Sequence, residues 1–245
     1  TIETDCEGYC VAGKVIRAIV EFNHVVTSDT ERDYIETNVE GIELRNANVQ
    51  NGTSHVYTYI VETGVNATVT SFSFVSGAYA NVTSYTISYV GSAIEIDAEA
   101  PEFNSAAITA NGCNEVSGIS YCRNGNKVIV TLSFSEKIVG YSNVNIVSNV
   151  GSISGANGVA NGAEISFEIE ISTSVDLDKI EVSSISGTFE DKAGNEVEVS
   201  ATAENEDIKV DNTIPTITIS NNLDSSYVKV GDEVVYTITA SEDVT

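Results

Sequence analysis

The 245-residue chain has no methionine or tryptophan, only two histidines and two prolines, and eleven lysines and arginines against 36 acids. Each shortage closes off a class of function. A formal net charge of -25, spread along the chain instead of gathered in a tail, is incompatible with binding a phosphate backbone, so nucleic acid is excluded as a partner. No apolar run approaches the ~18 residues of a membrane helix, which excludes direct membrane insertion by a helix. The start carries no basic segment followed by an apolar one, and Thr1 opens directly into a strand-like stretch, which reads as a processed terminus or a cut. No window of a dozen residues keeps a 3.6-residue period, so helix is limited to a turn or two.

The same shortages argue against catalysis. A hydrolytic triad needs His24 or His55 beside a serine and a carboxylate, and both histidines read as surface polar residues at strand ends. The glycine-rich segment 151–162 is not followed by a helix or a Lys-Ser/Thr pair, so it is a loop or hairpin and not a phosphate cradle. Carboxylates are abundant, but general acid–base work needs a cleft that a slim sandwich rarely supplies. The chain reads as a non-enzyme.

What remains is strand and turn vocabulary: Val, Ile, Thr, Ser, Asn and Gly. Three segments alternate strictly, 16–26, 128–138 and 234–244, with Phe22 and Phe134 standing 112 residues apart. A period near 110 residues is one sandwich domain. Both prolines close the same phrase, a strand, an aspartate and a proline four residues on: Asp97 to Pro101, and Asp211 to Pro215. Proline cannot donate to a ladder, so it belongs at a handover between domains. Segments 55–62 and 163–170 match in alternation, as do 67–74 and 177–184. The expected architecture is all-β, tandem immunoglobulin-like β-sandwich domains of about seven strands each. Repeat one spans 1–100, repeat two 101–214, and 215–245 supplies the first strands of an incomplete third.

Four cysteines in an acidic, Ser/Thr-rich chain suggest an oxidising compartment. Cys10 and Cys122 are again 112 residues apart, each preceded by a partner, Cys6 and Cys113. Each pair falls in the loop between the first two strands of its repeat, so bridges within repeats are the best of the three possible connectivities. The third repeat has Val228 at the second cysteine position, with Leu223 upstream as a hydrophobic replacement for the staple.

The phrase from Gly231 and Asp232 to 241–243, its counterpart ending at 134–136, the two Asp-to-Pro junctions and the turn at 189–195 resemble the Ig-like repeats of large prokaryotic surface proteins, both giant adhesins and surface-layer proteins. The resemblance covers essentially the whole chain. It implies calcium near the domain junctions, with Asp97 and Asp211 as first ligands and Glu99, Asp191 and Asn195 as helpers, a set whose oxygen chemistry suits that ion. Repeat one has Asn23 and His24 in place of Ser-Glu and lacks the acidic turn, so a site built on those positions should be absent or altered there. Sequons at Asn51, Asn66 and Asn81 are glycosylation candidates, no more frequent than chance. The resemblance points to a cell-surface structural segment, a brick of a surface layer or filament. The alternative is an adhesin stalk whose specificity lies in a tip module elsewhere. Its partners are copies of itself or neighbouring repeats of a longer chain.

Overall fold

The computed structural model describes residues 1–29, 31–75, 85–87, 91–155, 157–223 and 227–242. Every regular element among them is a strand. The first stretch contains β1 (Ile2–Thr4), β2 (Val15–Thr27), β3 (Tyr34–Thr37), β4 (Glu43–Arg45), β5 (Asn51–Ile60), β6 (Asn66–Val69), β7 (Phe72–Val75), β8 (Tyr85–Ile87) and β9 (Ile94–Asp97). After Pro101 come β10 (Phe103–Asn111), β11 (Asn114–Val116), β12 (Ile119–Cys122), β13 (Lys127–Phe134), β14 (Gly140–Ser148), β15 (Ser152–Ser154) and β16 (Val159–Asn161). They are followed by β17 (Glu164–Glu170), β18 (Ile180–Glu190), β19 (Glu196–Asn205) and β20 (Ile208–Val210). A last pair, β21 (Ile217–Asn221) and β22 (Tyr236–Ala240), follows Pro215.

Alternation along these strands builds two separate hydrophobic clusters, one from residues between Cys10 and Ala98 and one from residues between Ile108 and Val210. In the second, sheet β10-β13-β17-β16 turns Val128, Val130, Leu132, Ile165 and Phe167 inward. Sheet β15-β14-β18-β19 contributes Val144, Ile146, Val182, Ile185 and Phe189 to the same cluster. The outward positions on β17 are Glu164, Glu168 and Glu170, so one period-2 pattern makes both the apolar core and the acidic surface. In the first stretch the strand order is β1-β2-β5-β4-β3-β7-β8, with β6-β9 as a separate pair.

The two stretches repeat in register. Ala18 of β2 faces Tyr57 of β5, and Val130 of β13 faces Phe167 of β17. Val20 faces His55 as Leu132 faces Ile165. The strands at 55–62 and 163–170 therefore correspond at a spacing two residues longer than their alternation suggests. That shift keeps the faces but moves His55 onto the position of Ile165. His55 is not a surface residue: it is fully buried, its ring edge-on to Phe22 at 5.0 Å, with Nε2 3.1 Å from the Val26 carbonyl. His24, by contrast, is exposed within β2.

Cys6 is bridged to Cys10 and Cys113 to Cys122, so no cysteine is free. The second loop is more structured than its spacing suggests, because β11 and β12 form a ribbon inside it. Closing such short loops restricts the unfolded chain by about 2 to 3 kcal/mol each. The second cysteine of each pair performs the same backbone task. Cys10 lies parallel to Ile96 and its carbonyl accepts from Asp97 N at 3.1 Å; Cys122 lies parallel to Val210 and its carbonyl accepts from Asp211 N at 2.8 Å. Val228, at the corresponding place after Pro215, is more than half exposed, so it forms no buried substitute for the staple.

Because the clusters are separate, damage to one should stay there. Leu44→Ala and Leu132→Ala each remove a fully buried side chain, from the first and second cluster respectively. Each should cost about 2 to 5 kcal/mol. Amide exchange resolved by segment should accelerate in residues 15–98 for the first variant and in 103–210 for the second, with the other segment unchanged.

Candidate metal centre where the two clusters meet

β9 delivers Asp97 to the end of the first stretch, four residues before the buried Pro101. Two loops of the second stretch come up against it. One follows β13, where Ser135 is fixed by a double clasp: its N donates to the Glu102 carbonyl at 2.9 Å and its Oγ accepts from Glu102 N at 2.8 Å. The next residue is Glu136. The other is the turn 191–195 after β18, organised by the buried Asp191 carboxylate. Its Oδ1 accepts from the backbone N–H groups of Ala193, Gly194 and Asn195 at 2.7–2.9 Å, and its Oδ2 from Asn195 Nδ2 at 2.9 Å. Gly194 sits at φ +90°, a conformation closed to most side chains, which is why the turn carries glycine there.

Asn195 Nδ2 also donates to the Asp97 carbonyl at 3.0 Å. Beside it, Lys192 Nζ meets the Tyr9 hydroxyl and lies over the Tyr9 ring, 4.9 Å from its centre. These contacts bring one carboxylate oxygen each of Asp97, Glu136 and Asp191 within 4.8 Å of one another. None of the ion pairs among the described residues includes any of the three. Asp97 Oδ1 is buried without a hydrogen-bond partner.

The electrostatics follow from this crowding. Burial, then the charge of Asp191, pushes the Asp97 carboxyl above the ordinary aspartate value. Glu136 is raised in the same way, first by burial and then by the charges of Asp191, Asp97 and Glu99. A cation would relieve this repulsion and satisfy Asp97 Oδ1. The donors are all oxygen, which fits a hard divalent cation and not zinc.

The residues singled out from the sequence fall into three places. Asp97 and Asp191 are in the cluster, and Asn195 braces it through its amide. Glu99 stands outside, where its charge acts on Asp97 and Glu136 while its side chain accepts from Asn66 Nδ2 at 3.0 Å. Asp211 lies at the other handover, lining a recess with Asp176, Asp178 and Glu242, and its Oδ1 accepts from Thr213 N at 3.0 Å. Glu136 was not among the candidates. Its signal was the Ser-Glu that follows two of the three aligned strands and is Asn23-His24 in the first.

Of the sequons, Asn51 is exposed at the start of β5, its Oδ1 accepting from Thr27 Oγ1 at 3.0 Å. The exposed Asn66 is engaged by Glu99 and by Ala98 N. Asn81 and most of segment 76–83, which lacks the acidic turn, lie outside the described residues. No protein-family model matches the chain, and no curated protein matches it.

The raised carboxyls give a signed pH dependence. The folded state holds protons on Asp97 and Glu136 where the unfolded chain has released them, so this contribution to stability falls as pH rises through their folded values. In chelator, the melting temperature should rise as pH is lowered from 7 toward the ordinary carboxylate range, about 4 to 5. The Asp97→Asn/Glu136→Gln double variant should show a smaller rise, measured by circular dichroism.

Proposed function

We propose that the chain is a non-catalytic structural segment of an extracellular surface assembly, a surface layer or filament. In this reading it is built of tandem Ig-like sandwiches: residues 1–100, residues 101–214, and the opening strands of a third from 215. The observation that carries it is the convergence of Asp97 with Glu136 and Asp191 across the handover at Pro101, braced by Asn195. A contact of that kind fixes the angle between successive units, which is what a load-bearing array needs. The two disulfides indicate a non-reducing setting, and no helix among the described residues is long and apolar enough to cross a membrane.

Calcium is the ion proposed for the centre. The cluster supplies three carboxylates, and the ion's remaining oxygens come from water or backbone carbonyls. Bound there, calcium would replace like-charge repulsion with attraction and stiffen the handover without any covalent link. The partners are copies of the same chain or neighbouring repeats, and the acidic surface sets a demand for cations wherever two copies approach.

Calcium at about 100 times its dissociation constant should stabilise the protein by about 2.7 kcal/mol. The expected result is a rise of several degrees in melting temperature, lost in Asp97→Asn and in Glu136→Gln and reversed by chelator. Electron microscopy of the native protein should show periodic sheets or fibres in calcium. Isolated flexible strings in calcium would sink the assembly reading.

A further inference from the structure

The strand pair after Pro215 reproduces the opening of the second stretch bond for bond. Phe103 faces Phe134 across β10 and β13, and Ile217 faces Ala240 across β21 and β22. The clasp formed by Ser135 and Glu102 recurs in Ser241 and Thr216: Ser241 N donates to the Thr216 carbonyl at 2.9 Å, and Thr216 N to Ser241 Oγ at 2.9 Å. The pair is cleanly two-faced, with Ile217, Ile219, Tyr236 and Ile238 on one side and only Thr and Ser on the other. Yet Ile219, Tyr236 and Ile238 are 66%, 65% and 67% exposed, whereas Val130 and Leu132, at the positions matching Tyr236 and Ile238, are 0% exposed. A lone two-stranded ribbon with a bare apolar face is marginal in water.

What covers the earlier pair is visible in the same molecule. The free edge of β13 is taken by β17 over seven residues, Lys127 to Ser133 against Glu170 to Glu164, and β16 extends the sheet from β17. We infer that the free edge of β22 is a docking edge for an antiparallel β-ribbon of the β16–β17 kind. The incoming strand places an aromatic or branched apolar residue opposite Tyr236 and Ile238, as Phe167 and Ile165 stand opposite Val130 and Leu132. Main-chain hydrogen bonds supply affinity, and the alternate apolar positions supply register. The ribbon comes from outside these 245 residues, because β17 already lies between β13 and β16, and its counterpart β5 between β2 and β4. A second copy therefore has no such ribbon to spare. The inference rests on the repeat reading above but not on calcium or on a surface lattice.

A synthetic peptide of residues 159–171, which contains β16, its turn and β17, is the probe. Added to the intact chain with chelator and ~0.15 M salt to screen the acids, it should slow amide exchange across 236–240 at least tenfold, saturably and with one peptide per chain. A peptide of the same composition with inward and outward positions exchanged should not. Ile238→Asp should abolish the effect, and Thr237→Asp, on the opposite face, should keep it. No protection by the native-pattern peptide overturns the inference. So does protection that appears without peptide and grows with protein concentration, since the hairpin would then be pairing with a second copy. The chelator keeps this result independent of the proposed ion, and microscopy judges the assembly separately.

Discussion

Everything in the molecule hangs on a short parallel contact made twice, in which the last core strand of a unit hands its terminal aspartate N–H to the carbonyl of the loop's second cysteine. Asp97 gives to Cys10 and Asp211 to Cys122. The contact ties the beginning of a unit to its end, closing the core on itself before the chain leaves through proline. The disulfide anchors one side of it and the apolar strand, Ile94 and Ile96 or Ile208 and Val210, anchors the other. With the backbone of Asp97 held there, its side chain has little choice but to face the loops that follow Pro101.

That constraint explains why the acids divide into two populations. Most sit on outward strand positions, where water screens them and their number affects solubility more than fold. Asp97, Glu136 and Asp191 instead crowd at the end of the first cluster, with partners that are mainly backbone and amide. Asp191 is committed to its own turn, accepting three backbone N–H groups, so it stays in the cluster whether or not an ion is present. Asp97 and Glu136 feel its charge and carry the protonation response.

Much of this was legible in the residues. Period-2 alternation, the two Asp-to-Pro phrases and the matched spacing of Cys10 and Cys122 defined the strands, the handovers and the bridges. His55 was misjudged because alternation specifies a face but not a register, and the two-residue difference that puts it opposite Val20 leaves the pattern intact. Glu136 was overlooked because a single glutamate after a strand looks like any of the other acids. Only the clasp between Ser135 and Glu102 brings it back toward Asp97. Asp211 was paired with Asp97 on spacing, and the structure puts them at successive handovers, since one residue per unit cannot fill one site twice.

The three-carboxylate cluster also gives the molecule a direction. One half, Asp97, stands at the exit of a core, and the other half, Glu136 with Asp191, stands at the entrance of the next. The two halves are chemically different, so like cannot meet like: exit joins entrance, and neither joins itself. A contact with that asymmetry is heterologous, without a two-fold axis to close it, and it propagates head to tail. Any string of such units has a polarity that can be read from either end, and a cut at Pro101 leaves two unlike stubs that can only be rejoined one way round.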